Sequence, residues 1–291
     1  MDSGPVGNDP SGRLSLSAFT NPWGLLVLPG ALFLIAFFGY PLAEMAVRSV
    51  TDPSPANYQI FFSSPVYLRT LLTTLEISLL VTVVCLVLGY LYAYVMSLAS
   101  PRVAGVMIVL VLLPFWSSSL VRVFAWTLWL DDVGVINTML RDLGLTQAPL
   151  MLMRNTLGVT IGMSQVLLPY MVLPLYAVMR RIDRDLPAAA AGLGASPMAA
   201  FRRVFFPLSL PGVYAGALLV FVLSLGFYIA PAVLGGSENT MLSQLIIDEV
   251  QVQLQFGVGS AISIVLLAIT LIILWLGTRF VSINMVIGSR E

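Results

Sequence analysis

The chain has 291 residues, 58% hydrophobic and 10% charged, with a formal net charge of zero; globular domains use about 25% charged residues, so this composition fits a chain whose solvent is lipid. All 14 basic residues are Arg and His is absent, which excludes a Ser-His-Asp triad, an HExxH zinc site, a P-loop lysine and a Schiff base. The zero net charge gives no hint of a nucleic-acid partner, and the single cysteine, Cys85, forms no intrachain disulfide and reads as a small buried hydrophobe.

Residues 1–21 are rich in Gly, Pro and Ser, with one Arg and no short apolar core ahead of a cleavage site. They read as a disordered tail rather than a signal peptide. A hydrocarbon core about 30 Å thick takes about 20 helical residues to cross, and six apolar runs meet or approach that length, giving a membrane domain over 22–285. The first span is predicted at about 22–47, opened by Pro22 in the first turn and an interfacial Trp23. The second, 70–98, carries Glu76. The third, 103–130, holds Trp116, Ser117, Ser118, Ser119, Arg122, Trp126 and Trp129 and ends at Asp131 and Asp132. Those adjacent acids point about 100° apart on a helix, so they read as interfacial charge that receives a binding protein or a cation. The fourth span is 155–179, the fifth 207–234 with Tyr228 and a bend expected near Gly226 and Pro231, and the sixth 258–279.

Short cytoplasmic loops carry the positive excess in membrane proteins. The loop 180–206 holds Arg180, Arg181, Arg184, Arg202 and Arg203, and Arg13, Arg102, Arg279 and Arg290 fall on the same side. The other side holds Arg48, Arg69, Arg141 and Arg154, accompanied by Asp52, Asp131, Asp132, Asp142, Glu238, Asp248 and Glu249. Both termini are therefore expected in the cytoplasm.

The loop 180–206 also reads as an ordered element. Asp185 precedes a helix through Ala188, Ala189, Ala190 and Ala191, Gly194 is placed to end it in the left-handed conformation, and Ser196 with Pro197 marks a second helix, expected to run out at Pro207. Small residues in this wedge let another backbone approach, and its edges carry Arg202 and Arg203. A helix lying on lipid headgroups is the alternative, though its alanine-rich face is a weak lipid anchor.

The spacing Ala188-Ala189-Ala190, Gly194, Val204, Phe206-Pro207 resembles the EAA motif of ABC-importer permeases, with Ala188 in place of the Glu and Ala195 within the same coupling loop. Gly89-Tyr90-Leu91-Tyr92-Ala93-Tyr94, Leu113-Pro114-Phe115-Trp116, Leu168-Pro169-Tyr170 and Pro231-Ala232-Val233-Leu234-Gly235-Gly236 are similar to stretches of the spermidine/putrescine branch. The resemblance implies an all-α polytopic membrane protein of six transmembrane helices in the type I importer architecture, with the wedge as a coupling helix in the groove of a separate ATPase. It also implies two ATP-binding cassette subunits that use ATP and Mg, a second homologous permease, a periplasmic or lipid-anchored solute-binding protein, and no cofactor or metal bound by this chain.

Ionisable groups at membrane depth are functional candidates by default. Glu76 and Arg122 are expected either to pair with one another or to face the substrate path, beside Trp116, Ser118, Trp126 and Tyr228. Aromatic faces suit an ammonium, whereas an unneutralised Arg122 repels one. An ion-coupled transporter or channel acting without an ATPase is the competing reading, and it leaves the Gly194 wedge unexplained. An intramembrane enzyme has almost no raw material here.

Overall fold

Every regular element among the described residues of the computed structural model, 22–183 and 185–287, is helical. The predicted tail 1–21, Arg184 and residues 288–291, with Arg13 and Arg290, lie outside those residues. Helices satisfy their backbone hydrogen bonds internally, which lipid demands. Five of them are long and apolar enough to cross a membrane, and six if one bent pair is a single span.

The first crossing joins α1 (Pro22–Leu34) through a π turn (Ile35–Gly39) to α2 (Tyr40–Thr51). Pro41 stands just past that turn, where the Tyr40 N–H donates to the Ile35 carbonyl. In a regular helix a proline ring clashes with the carbonyl four residues back, and the extra residue of the π turn moves that carbonyl aside. After α3 (Ala56–Ser63), α4 runs over Pro65–Leu98, starting earlier than the predicted 70 because Pro65 suits a first turn.

The third span departs from expectation. Predicted as one helix over 103–130, it is α5 (Pro101–Leu112), a 3-10 turn (Leu113–Trp116) and α6 (Ser119–Leu130), and the chain bends by 96° between the halves. Pro114 supplies no N–H, and the Ser117 N–H and hydroxyl both donate back to its carbonyl at 3.1 and 3.0 Å, which offers the backbone an alternative to continuing the helix. Next come α7 (Val135–Asp142) and α8 (Thr156–Met179), the latter capped by the Asn155 side chain on the Gly158 N–H.

Beyond α8 lie α9 (Asp185–Gly192) and α10 (Pro197–Ala200), then a π turn (Phe201–Phe205) leading into α11 (Phe206–Leu225). The second wedge helix was expected to stop at Pro207; instead it passes through it into α11. The cause is the one seen at Pro41: the Phe206 N–H reaches back five residues to the Phe201 carbonyl, and Pro207 follows the widened turn. The fifth span breaks at 226–228, and α12 (Ile229–Leu234), α13 (Leu242–Ile247), another π turn (Asp248–Val252) and α14 (Phe256–Ile287) complete the chain.

The core is the seam of α4, α8 and α11. Ile77, Val81, Cys85 and Ala93 recur at multiples of four along α4, as do Met163, Leu167, Met171 and Leu175 along α8, so each helix presents one buried stripe. A Cβ added at Gly89 would come 2.7 Å from the Met171 Cγ, and one at Gly216 2.7 Å from its sulfur. Met171 thus fills the space that two glycines leave between three helices. Cys85 is fully buried there, as expected. Arg102, Arg180, Arg181, Arg202 and Arg203 gather at one end of this bundle, with the wedge; Arg69 and Arg154 lie at the other, tied to Glu238 and the Leu234 carbonyl.

Candidate functional site

The wedge closes as a helix–turn–helix built on backbone hydrogen bonds. Gly194 adopts φ +89°, the left-handed region that costs a residue with a Cβ about 1–2 kcal/mol. Its N–H donates to the Ala191 carbonyl at 2.9 Å and that of Ala195 reaches the Ala190 carbonyl at 3.0 Å, the paired bonds of a Schellman stop. The Ser196 hydroxyl then accepts from the Ala199 N–H at 3.3 Å and Pro197 opens α10. Asp185 sits in the first turn of α9, where the helix dipole favours its charge. Leu193 is 90% exposed and Met198 65%, while Ala188, Ala189, Arg202, Arg203 and Pro207 are also exposed. Arg202 and Arg203 border a recess of about 380 Å³ with Ser196, Met198 and Ala199.

An aromatic clamp joins this wedge to the bundle. Tyr94 on α4 packs edge-on against Phe201 and Phe205 at centroid distances of 5.4 and 5.1 Å, and Tyr90 lies 5.9 Å from Phe206 while its hydroxyl meets the Ser209 hydroxyl at 2.9 Å. Behind it a cavity of about 740 Å³ extends to Ile108, Tyr176, Asp183 and the Ala188 face of α9. The clamp is missing from the sequence reading. Phe201 and Phe205 looked like ordinary apolar residues, and their one signal was that aromatics cluster both after Pro197 and over 90–94.

At the opposite end, Glu76 is exposed and borders a recess of about 460 Å³ with Arg69, Thr73, Thr156, Glu238 and Asn239. Arg69 pairs with Glu238 at 2.9 Å, and the Asn239 amide donates to the Thr156 hydroxyl at 2.8 Å. The expected pairing of Glu76 with Arg122 is absent. Thr156, beside Glu76, and Gln165, beside Arg122, are nine residues apart on α8, hence about 14 Å along the axis and about half a turn around it. Glu44 pairs with Arg48 at 2.6 Å one turn along α2.

The remaining candidates do not form one lining. Arg122 donates to the Pro114 carbonyl and, with Trp126, Trp129, Ala125 and Gln165, walls a separate pocket of about 260 Å³. Trp116, 79% exposed, and Ser118, at the start of α6, lie at the break outside that pocket. Tyr228, 40% exposed, lies at the break of the fifth span. The sequence placed Trp116, Ser118, Arg122 and Trp126 on one continuous span, which the break before α6 divides, while the bend expected near Gly226 and Pro231 falls at 226–228, beside Tyr228.

Residues 86–282 match the model of the binding-protein-dependent transport system inner membrane component family. The spermidine/putrescine transport system permease protein PotB of Haemophilus influenzae is 36% identical over 208 residues, 72% of each chain, and that of Escherichia coli 33% over 221 residues, 75% of this chain and 80% of its own. The molybdenum transport system permease protein ModB of Mycobacterium bovis is 29% identical over 248 residues, 84% of this chain and 90% of its own. In fold, the chain is similar to one chain of a bacterial alginate ABC transporter solved with an alginate pentasaccharide-bound periplasmic protein: TM-score 0.73, 16% identity, 92% of this chain and 96% of that one.

Proposed function

This chain belongs to the family of binding-protein-dependent transport system inner membrane components, and we propose that it is the permease for a polyamine of the spermidine/putrescine type, brought to it by a separate solute-binding protein. It is an ABC-importer permease, a kind of subunit that is not catalytic. In our reading the wedge end faces the cytoplasm with both termini, a second, homologous permease completes the path, and two ATPase chains bind the ATP and Mg.

The observation that carries this reading is the wedge itself. A Schellman stop at Gly194 and an N-cap at Ser196 make a rigid element, exposed Leu193 and Met198 give it an apolar tip for a partner groove, and the Tyr94–Phe201–Phe205 clamp ties it to α4. When ATP draws two ATPases together, a wedge seated in one of them moves with it, and the clamp passes that motion to the α4–α8–α11 seam as a rigid-body rotation. The bundle then exposes its path outward to the loaded binding protein, and hydrolysis reverses the population. Polyamine as cargo is supported by the PotB relatives and by the Glu76 recess, whose two carboxylates and one guanidinium leave it a net charge of −1 toward an ammonium.

The test is to purify the tagged chain in mild detergent, identify what accompanies it, and measure ATP hydrolysis in proteoliposomes with putrescine-loaded binding protein. We expect a second permease and an ATPase to copurify, and hydrolysis to rise on adding the loaded binding protein. An isolated chain that moves solute with an ion gradient and no ATPase would end this reading in favour of an ion-coupled transporter.

A further inference from the structure

The Arg122 pocket has the opposite chemistry to the Glu76 recess. Its guanidinium has no acidic partner among the described residues. One arm is spent on the Pro114 carbonyl, and the buried Nε finds no acceptor in the protein. Gln165 lines the same space, and its Oε1, which has almost no accessible surface, finds no donor. Two residues that carry orphans of opposite hydrogen-bonding sense therefore wall about 260 Å³, just under the roughly 300 Å³ at which small-ligand pockets begin. Trp126 and Trp129 supply aromatic walls with ring centroids 6.3 Å apart.

These groups specify a ligand. The unneutralised guanidinium calls for an anion, and its planar N–H groups match a carboxylate. The Gln165 oxygen calls for an N–H or O–H at a second point, and the indole faces suit a short aliphatic body or an ammonium. A bare diamine meets repulsion here from Arg122. We infer that the Arg122–Gln165 pocket recognises a small amino-carboxylate, so that this importer takes zwitterionic amines through a carboxylate site that bare polyamines do not use. The inference deepens the reading of the chain as an amine importer and rests on it for the route of transport, though binding at the pocket is measured independently of transport.

γ-Aminobutyrate and putrescine make a matched pair, with the same four-carbon chain and a carboxylate in place of one ammonium. The purified complex, without binding protein, is titrated with each while tryptophan fluorescence is recorded, since Trp126 and Trp129 border the pocket. A saturable response to γ-aminobutyrate is expected, with at least a tenfold weaker apparent affinity in Arg122→Gln, which removes the charge and keeps a polar side chain, and a several-fold weaker one in Gln165→Leu. In proteoliposomes the γ-aminobutyrate-to-putrescine uptake ratio of Arg122→Gln should fall at least tenfold.

No saturable response in the wild-type complex overturns the inference, whatever the importer carries, and needs no variant that folds. A response that survives unchanged in both variants places binding elsewhere and also overturns it. Phosphate of a tightly held anionic phospholipid is the rival occupant. It would show as copurifying lipid lost in Arg122→Gln together with no response to γ-aminobutyrate. If γ-aminobutyrate binds and responds to Arg122 while neither solute is taken up, the amine-importer reading fails and the pocket assignment stands.

Discussion

At the wedge end, Gly194, Ala195, Ser196 and Pro197 act in succession on the backbone they belong to, and the result is one rigid turn. The recess around Glu76 is made differently: Arg69 comes from α4, Thr156 from α8, and Glu238 from the connection between α12 and α13, with 169 residues separating the paired Arg69 and Glu238. The first depends on local conformation and the second on how three crossings pack. A substitution that disturbs packing should therefore injure the recess before the wedge, and one that disturbs a backbone angle the reverse.

The largest effect is expected from Gly212→Leu. A Cβ at Gly212 would lie 3.1 Å from the Leu175 Cα and 3.2 Å from the Pro174 carbonyl oxygen, and backbone cannot yield as a flexible side chain does. Overpacking the α8–α11 contact should cost about 3 kcal/mol, seen as loss of the folded peak in detergent size-exclusion after mild heating. A normal melting profile would mean that α8 and α11 do not pack this closely.

Gly194→Val separates the two regions. A Cβ there meets nothing within 4 Å, so only the left-handed φ is challenged. Membrane insertion and solute binding should persist while uptake falls at least tenfold and no longer tracks ATP hydrolysis. Gly194→Asn, which tolerates that angle, should recover most of the coupling. Wild-type coupling in the Val variant would remove the wedge from the mechanism.

Glu76→Gln probes the Glu76 recess alone. The expected result is a several-fold rise in the putrescine concentration needed for half-maximal uptake, with the ATPase response to an empty binding protein little altered; an unchanged uptake curve would make Glu76 a bystander. Smallest of all is Arg69→Ala. Its pair with Glu238 is largely exposed, with side-chain accessibilities of 71% and 76%, so the melting temperature should reflect less than about 1 kcal/mol. A larger shift would show that the pair is buried in the assembled complex.

Much of the wedge was legible in the sequence because its signals are short-range: a run of alanines, a glycine in register to stop them, and a serine-proline pair to begin again. Proline misled at Pro207, whereas the first span was rightly read through Pro41. Both Pro41 and Pro207 sit inside continuing helices since a widened turn precedes each, and a π turn leaves no composition signature. Pro114 carried the opposite outcome, a bend of 96°, with three serines following the 3-10 turn to compete for backbone. The aromatic clamp and the separation of Glu76 from Arg122 were not legible, because each depends on which faces of α4 and α8 turn toward their neighbours.

The sequence by itself determined that the chain lives in lipid, roughly where it crosses, and which family it resembles, since uninterrupted apolar length and residue order along the chain are one-dimensional properties. Tertiary structure alone decided which ionisable groups meet. A helix places its side chains by a rotation of 100° per residue, so a break of two or three residues redirects everything beyond it. That is why Glu76 and Arg122, candidates for one ion pair along the chain, end in two separate pockets of opposite charge.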